Sequence, residues 1–405
     1  MSPSSSARRS VTSGSDARAF WTLVGVRVAY WVGTALTLLW AASPVVAPDR
    51  DLTRAPFLAY DGLTDLLFNA FSLWDSGWFL EIARHGYTSE QSAAFFPVYP
   101  MLVHGLAWVT RSALVAGVLL SLVAAGLAAV AVQRVARELL PDRAARDSVL
   151  FLALWPVAFV FTAVYSDALF LAFAAWALLA GLQRRPWLAG VLGGLAVGTR
   201  LIGLALLPAL LILLWPGGRR AGRLAPLLLL PAAVGLYAFY LEVHLGNWRA
   251  FYEAQGVFWL RHRPAAGPLG GLWEAVSQGY HGVAQVVLHL ARGSQVSNSD
   301  QIGVRNAVHL VLLLAALWLT CVAWRRLGAA WGAYSVAYLA IVLWSTVPYF
   351  PLVSFPRYVL GDFPLFIALA SVTERRPTAR QAVLIGFAAV GAAAAIAFSR
   401  NVWVA

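Results

Sequence analysis

The chain of 405 residues is strongly apolar and basic, with 60% hydrophobic residues, 12% charged residues and a formal net charge of +12 at pH 7. Several apolar runs reach the roughly 20 residues that a membrane-spanning helix needs, so the composition predicts an integral membrane protein without a soluble domain. The positive charge does not indicate nucleic-acid binding, because the arginines lie in short connections between apolar runs. The single cysteine, Cys321, excludes an intramolecular disulfide and a multi-cysteine metal site.

The N-terminal region contains a polar segment followed by the first apolar run. Residues 1–18 are rich in serine and arginine, which predicts a disordered cytoplasmic tail. The run from Ala19 to about Val46 predicts the first membrane span. The alternative is a signal peptide cleaved near Ala41–Ser43, but the run is longer than the apolar core of such peptides. We therefore expect an uncleaved anchor and a single transmembrane domain over residues 19–405.

The segment 47–111 is predicted to be a long loop after the first span. It carries seven of the chain's 18 acidic residues: Asp49, Asp51, Asp61, Asp65, Asp75, Glu81 and Glu90. A helix over about 70–84 would align four apolar side chains on one stripe: Phe71, Trp78, Phe79 and Ile82. Asp75 falls in the middle of this stripe, where a carboxylate is costly unless it has a partner or a task. The alternative is a helix made irregular near Gly77, with Asp75 facing water.

The remaining apolar segments predict ten further spans, which makes eleven in all. Their approximate bounds are 114–132, 148–163, 167–182, two short helices within 187–215, 224–245, 303–323, 329–347, 358–372 and 381–398. Seventeen of the 30 basic residues then fall on one side, in the N-terminal tail and the short connections, which assigns that side to the cytoplasm. The N-terminus is expected inside and the C-terminus outside.

Arg200 interrupts the apolar run 187–215. The basic connections before and after this run, Arg184–Arg185 and Arg219–Arg223, should lie on the same side of the membrane. Two short helices with Arg200 at the turn between them satisfy this requirement, and an arginine at membrane depth indicates a site. The alternative is one long tilted helix with a snorkelling arginine.

Isolated cations also lie in two segments predicted to be external. The second long loop, 246–302, contains Arg261 and His262, and the turn before the span 358–372 contains Arg357. The planar guanidinium makes bidentate, charge-assisted bonds with phosphate, so we favour phosphate binding for Arg357 over simple interfacial snorkelling.

Acids and isolated arginines on one membrane face fit sugar transfer from a lipid-phosphate donor. An inverting transfer needs a carboxylate that accepts the proton of the acceptor hydroxyl. The leaving group is a phosphate, which arginine recognises well. The sequence has no glycine-rich phosphate loop and no Rossmann pattern, as expected for a donor that is a lipid rather than a nucleotide.

Three motifs resemble the signature of the PIG-V family of GT-C mannosyltransferases. WDSGWFLEIARHGY at 74–87 and AFFPVYP at 94–100 contain an aromatic-Asp pair, an I-A-x-x-G-Y element and F-F-P-x-Y-P, in that order. Shorter elements also resemble the family: Tyr165–Phe170, with Asp167 in place of the usual Glu, Arg200–Gly203 without the usual Asn, and Arg357–Tyr358.

The resemblance implies an all-α GT-C membrane fold with large extracytoplasmic loops at about 47–111 and 246–302. It implies mannosyl transfer from a polyprenyl- or dolichyl-phosphate donor on the non-cytoplasmic face. We expect no cofactor and assign no metal ligand. The expected site comprises catalytic Asp75 (the general base) and Asp167, donor phosphate-binding Arg200 and Arg357, and substrate-binding Trp74, Tyr99, Tyr165 and Tyr358. Asp167 opens a predicted span, so a simple helix N-cap is its alternative role.

The absence of lysine indicates a GC-rich genome and, with the resemblance, a bacterial, actinobacterial family member. We then expect a plasma-membrane enzyme whose partners are the lipid donor, membrane lipids and a cell-envelope glycolipid or glycan acceptor, not nucleic acid. Two alternatives stay open, namely transfer of another sugar from the same kind of donor and a lipid-linked sugar transporter or flippase. The sequence has no internal repeat of the transporter type.

Overall fold

The computed structural model describes residues 5–40, 67–68, 72–215, 221–291 and 298–400, together with residues 402 and 404. Within these ranges the chain is helical, and the only extended pairing is an isolated antiparallel bridge between His262 and Thr346. The prediction of an all-α polytopic membrane protein is therefore confirmed.

The α-helices of the described ranges are named in chain order. They are α1 (Ser5–Trp40), α2 (Asp75–His85), α3 (Val98–Thr110), α4 (Ala113–Leu139), α5 (Asp142–Leu154), α6 (Asp167–Leu182), α7 (Pro186–Thr199), α8 (Leu206–Leu214), α9 (Leu229–Leu245), α10 (Ala250–Val257), α11 (Pro268–Ala291), α12 (Asn298–Val322), α13 (Ala329–Leu343), α14 (Phe355–Gly361), α15 (Pro364–Thr373) and α16 (Pro377–Ser399).

Five described helical stretches are long and apolar enough to cross a membrane. They are Gly14–Thr37, Ala113–Leu139, Gly222–Leu245, Asp300–Leu327 and Pro377–Ser399. The pair α14 and α15 makes a sixth candidate, bent by 86°. Shorter apolar helices occupy most of the other predicted spans, but the predicted number of eleven spans stays a prediction.

The bend between α14 and α15 differs from the continuous span expected at 358–372. Pro364 is one of the first residues of α15 and has no amide proton to continue a preceding helix. The residue before a proline is also disfavoured in a helix interior. The chain therefore starts a new helix after Asp362, and α14 lies across the direction of α15.

Two N-terminal features differ from the expected bounds. Helix α1 begins at Ser5, inside the segment 1–18 for which the sequence predicts disorder, and Asp16 accepts a bond from Arg134 Nε on α4 at 3.2 Å. Helix α2 begins at Asp75 rather than near Ala70, so Asp75 opens the helix instead of lying within its apolar stripe. Phe71 lies outside the described residues.

Helix α4 is the centre of the bundle. In an apolar stretch of 18 residues within this helix, 72% of the residues are buried. The corresponding share is 28% for each of the other four long spans. Small residues allow close packing between membrane helices. A Cβ atom at Gly117 would lie 2.6 Å from Val164 Cγ1, so this glycine lets the chain just before Tyr165 approach α4.

Helix α16 connects the two ends of the bundle. Near its start, Arg380 makes a bidentate ion pair with Asp147 on α5, at 2.6 and 2.7 Å. Near its end, the Phe398 ring lies 4.7 Å from the ring of Phe159 and 6.2 Å from that of Tyr165. The helix from Arg380 to Phe398, a distance of eighteen positions, is about 27 Å long, close to the roughly 30 Å of a hydrocarbon core.

Candidate active site

Four residues predicted from separate motifs meet in one ion-pair network. Arg357 Nη1 donates to Asp75 Oδ2 at 2.6 Å, and Arg357 Nε lies 3.1 Å from Asp167 Oδ2. Both arginines donate to Asp167 Oδ1, Arg200 from Nη1 and Arg357 from Nε at 3.2 Å. The two arginines and two carboxylates form one contiguous group, in the order Asp75, Arg357, Asp167 and Arg200. We call this group the ion cluster.

Asp75 enters the ion cluster from the first position of α2. The residue before it, Trp74, has φ 59° and ψ −120°, a backbone conformation that costs energy for a residue with a side chain. Tyr165 donates from its hydroxyl to the Leu73 carbonyl at 3.3 Å, which fixes this turn against the bundle. A carboxylate at a helix N-terminus is also stabilised by the helix dipole. The local fold therefore holds the Asp75 carboxylate in a defined position.

Asp167 is the most deeply buried member of the ion cluster. It is the first residue of α6, and the N-cap residue is Ser166, with no side-chain capping bond. The Asp167 side chain is only 5% exposed and contacts both Arg200 and Arg357. A buried carboxylate needs such charge partners. Its structural surroundings are therefore those of a member of the cluster rather than of a simple helix cap.

Arg200 lies at the predicted interruption, which the structure confirms. Helix α7 ends at Thr199, Arg200 is extended with φ −155° and ψ 131°, and a 3₁₀ turn follows at Leu201–Ala205. Gly203 is required for this turn, because a Cβ atom there would lie 2.7 Å from the backbone nitrogen of Val197. The glycine of the Arg-x-x-Gly element thus lets the turn fold back onto α7 and direct Arg200 towards Asp167.

Arg357 reaches the ion cluster from the short helix α14. Ser354, just before this helix, adopts a left-handed conformation with φ 61°. Trp155 donates from its indole nitrogen to the Pro356 carbonyl at 2.8 Å, which attaches the start of α14 to the bundle. The guanidinium lies 4.8 Å from the centre of the Tyr165 ring, in cation–π contact. Arg357 is therefore held by two carboxylates and an aromatic face.

The predicted substrate-binding aromatics occupy different positions around the ion cluster. The Tyr165 ring contacts Arg357, and the Tyr358 ring lies 5.5 Å from the Arg200 guanidinium. Trp74 is partly buried next to Asp75. Tyr99 is fully buried, and its hydroxyl lies 2.9 Å from Ser121 Oγ on α4. Tyr99 therefore lies behind the cluster, whereas the other three line it or adjoin it.

A fifth charged residue, Arg261, joins the site from the connection between α10 and α11, within the segment 246–302 that the sequence predicts to be a long loop but that is largely helical. Its Nη2 donates to the Tyr358 hydroxyl at 3.1 Å and its Nη1 to the Ser345 carbonyl at 2.8 Å. The bridge between His262 and Thr346 fixes the same loop, with backbone bonds of 2.9 and 3.2 Å. The sequence pattern around Arg261 predicts no role for this residue. One signal could have indicated that Arg261 belongs to the site: it lies in a segment predicted to face the same side of the membrane as Arg357.

Arg261 also lines a cavity of about 220 Å³ beside the ion cluster. The cavity is bounded by polar side chains that include Glu253, Gln255, His262 and Arg263. Arg263 lies 3.3 Å from the centre of the Tyr252 ring, and partial burial lowers the pKa of its guanidinium from the ordinary value. An arginine stays protonated despite such a shift. The cavity therefore has both cationic and hydrogen-bonding walls.

Residues 37–213 match the family model described as Mannosyltransferase (PIG-V). Over this segment, which we call the PIG-V segment, the chain is similar to the PIG-V family. GPI alpha-1,6-mannosyltransferase 2 of Mus musculus is 36% identical over 169 residues, covering 39% of this chain and 34% of the mouse protein. The Homo sapiens protein of the same description is 32% identical over 163 residues, which cover 37% of this chain and 33% of the human protein. The chain thus spans about a third of the length of the curated relatives that it matches.

The PIG-V segment contains three members of the ion cluster, Asp75, Asp167 and Arg200. The fourth, Arg357, lies 144 residues beyond the end of that segment. Arg261 and Tyr358 lie beyond it as well. The C-terminal part of the chain therefore supplies one wall of the candidate active site.

Proposed function

We propose that this chain is an integral-membrane GT-C glycosyltransferase. It would move a mannosyl residue from a polyprenyl-phosphate donor to a cell-envelope glycolipid or glycan. The observation that carries the proposal is the contact between Asp75 and Arg357, at 2.6 Å, inside the ion cluster. This contact joins a candidate proton acceptor to a candidate phosphate ligand, which are the two groups that lipid-phosphate sugar transfer needs.

The role of general base fits Asp75 better than Asp167. The Asp75 side chain is 26% exposed, whereas that of Asp167 is 5% exposed and lies between two arginines. The bond from Arg357 orients one oxygen of Asp75 and leaves the carboxylate accessible to an acceptor hydroxyl. In the proposed step the acceptor oxygen bonds to the anomeric carbon, the bond from that carbon to the phosphate oxygen breaks, and Asp75 accepts the hydroxyl proton.

The phosphate of the leaving polyprenyl phosphate would be bound by Arg357 and Arg200. A guanidinium has five N–H donors, so an arginine that contacts a carboxylate keeps donors for a phosphate oxygen. Asp167 contacts both guanidinium groups, and its proposed part in catalysis is to hold them in a fixed relation. Tyr165 and Tyr358 supply ring faces against the same guanidinium groups, and Trp74 positions Asp75.

We further propose that this site faces the extracytoplasmic side of the plasma membrane, with the N-terminus in the cytoplasm. The support is the distribution of arginine, which is concentrated in the connections predicted to be cytoplasmic. The site residues lie at the other end of α16 from one of these arginines, Arg380, because Tyr165 contacts Phe398. A donor assembled on a lipid carrier would be presented at such a face.

The test is sugar transfer by the purified chain in detergent. Radiolabelled polyprenyl-phosphate mannose is incubated with envelope glycolipid extract, and labelled glycolipid product is separated from the donor. Product that forms with the wild type and is lost with Asp75→Asn would support the proposal. A flippase would be supported instead if the donor stays intact after long incubation and is transported across the membrane of reconstituted vesicles. Use of polyprenyl-phosphate arabinose or glucose in preference to mannose would overturn the sugar assignment.

A further inference from the structure

A second cavity lies at the end of the bundle away from the ion cluster. Its volume is about 270 Å³, and we call it the basic cavity. Its polar walls include Arg18, Gln133, Arg143, Arg146, Asp147 and Arg380. These residues come from four helices: α1, α4, α5 and α16. The cavity is therefore built by the tertiary packing of the bundle and not by a single loop.

The charges around the basic cavity do not cancel. Asp147 is buried, and the bidentate pair with Arg380 satisfies its carboxylate. Within the described ranges, no carboxylate forms an ion pair with Arg18, Arg143 or Arg146. Four arginines and one aspartate thus leave three positive charges around a space of about 270 Å³, just below the roughly 300 Å³ at which small-ligand pockets begin.

The position of the basic cavity separates it from the candidate active site. Arg380 lines the cavity near the start of α16, while Phe398 near the end of that helix contacts Tyr165. The helix between these two residues is about 27 Å long, nearly the thickness of a hydrocarbon core. The two sites therefore lie at opposite ends of a helix that is long and apolar enough to cross a membrane, and a donor phosphate in the ion cluster cannot reach the basic cavity.

We propose that the basic cavity binds a phosphate group of an anionic ligand at the membrane face near this end of the bundle. Arginine pairs with phosphate through charge-assisted, bidentate bonds, and clefts of basic residues between membrane helices suit phospholipid headgroups. The Asp147–Arg380 pair fixes one wall, which leaves Arg143 and Arg146, both exposed, to contact the ligand. A ligand bound there would link α5 to α1 and α16. The inference does not depend on the proposed sugar transfer.

The experiment measures ligand binding to the purified full-length chain in a neutral detergent. The probes are short-chain phosphatidylglycerol, short-chain phosphatidylcholine and inorganic phosphate, each added at constant ionic strength. The test variant is Arg143→Gln/Arg146→Gln. The matched control, Arg375→Gln/Arg376→Gln, removes two exposed arginines from the turn before α16, outside the cavity. The readouts are the dissociation constant and the shift in Tm that ligand binding to the folded state produces.

We expect phosphatidylglycerol to bind more tightly than phosphatidylcholine, and the cavity variant to weaken that binding about tenfold, because two charge-assisted contacts are lost. The control variant should bind as the wild type does. If inorganic phosphate displaces the lipid at similar concentration, the ligand is a soluble phosphate; if it does not, the ligand is a lipid headgroup. Equal binding by the wild type and both variants, or an equal loss in both variants, would overturn the proposal.

Discussion

Arg357 contacts Asp75 across 282 positions of sequence, through a bond of 2.6 Å from Nη1 to Oδ2. The two residues belong to α14 and to the first turn of α2, each of which follows a residue with positive φ, Ser354 and Trp74. Both strained turns thus aim a charged side chain into the same cluster. Strain at two such places is expected where the geometry serves a site and the surrounding bundle holds it in place.

Replacement of Asp75 by asparagine should abolish most of the transfer activity. The amide keeps the shape of the side chain but cannot accept the proton of the acceptor hydroxyl. We expect a loss of about 10²-fold or more in kcat, the usual contribution of a general base. Asp75→Glu should also be impaired, since displacement of the carboxylate by about 1 Å can cost about 10²-fold. The measurement is the transfer rate at saturating donor and acceptor.

The matched control for Asp75 is Glu81→Gln on the same helix, which removes an acid outside the ion cluster. This variant should keep the wild-type rate. An Asp75→Asn protein that folds normally and retains a kcat within a few-fold of wild type would exclude Asp75 as the base. Attention would then move to Asp167, or to Asp61 and Asp65, which lie outside the described residues.

Gly203→Ala should reduce activity through the position of Arg200. The added methyl group would lie 2.7 Å from the backbone nitrogen of Val197, so the 3₁₀ turn after Arg200 must shift. A shift of this size displaces the guanidinium, and misplacement by about 1 Å can cost about 10²-fold in rate. The control is Gly235→Ala in α9, where a Cβ atom has no neighbour within 4 Å. Equal activity of the two variants would contradict the role given to the turn.

The sequence predicted the helical class, the break at Arg200 and the four charged residues of the ion cluster. These features depend on local signals, namely apolar runs, interrupted runs and short motifs. It did not predict the start of α2 at Asp75, because the apolar stripe in the sequence begins at Phe71, before the first residue of the helix. It also missed the bend after Asp362, which requires α15 to restart at Pro364.

The mutual arrangement of the site residues was not available from the sequence. Asp75, Asp167 and Arg357 are separated by 92 and 190 positions, and only packing of α6 and α14 against the centre of the bundle brings them together. Arg27 illustrates the same limit. It lies in the first span, is fully buried, and donates to the Ala153 carbonyl near the end of α5. Carbonyls at a helix end lack an intrahelical partner, so a buried arginine can bind there.

The orientation of the chain can be tested by labelling of a single cysteine. Cys321 is exposed and should first be replaced by serine. Glu90→Cys, on the segment between α2 and α3, should then react with a membrane-impermeant thiol reagent in intact cells, because this segment is proposed to be extracytoplasmic. Arg375→Cys, between α15 and α16, should react only after lysis. The reverse pattern would place the ion cluster on the cytoplasmic side.

Arg357→Lys should lose activity although it keeps the positive charge. A lysine ammonium cannot make the contacts that the guanidinium makes with Asp75 and Asp167 together, nor the bidentate bond expected with a donor phosphate. If Arg357 binds the donor, the variant should show a raised KM for the lipid donor with little change in the KM for the acceptor. The comparison variant is Arg261→Lys, whose side chain contacts Tyr358 but none of the carboxylates of the cluster.

The substitution Asp167→Asn can distinguish two roles of Arg357 and Arg200, namely binding of the donor phosphate and stabilisation of the fold. The amide keeps the size of the side chain but removes the charge that holds Arg357 and Arg200 together. If the arginines bind phosphate, the freed guanidinium groups should still bind the donor, so kcat should fall more than the donor KM rises. If the arginines serve only to balance buried carboxylates, Asp167→Asn should have a lower Tm than the wild type. Arg357→Lys should then have the donor KM of the wild type. Donor KM and Tm measured on both variants decide between the two roles.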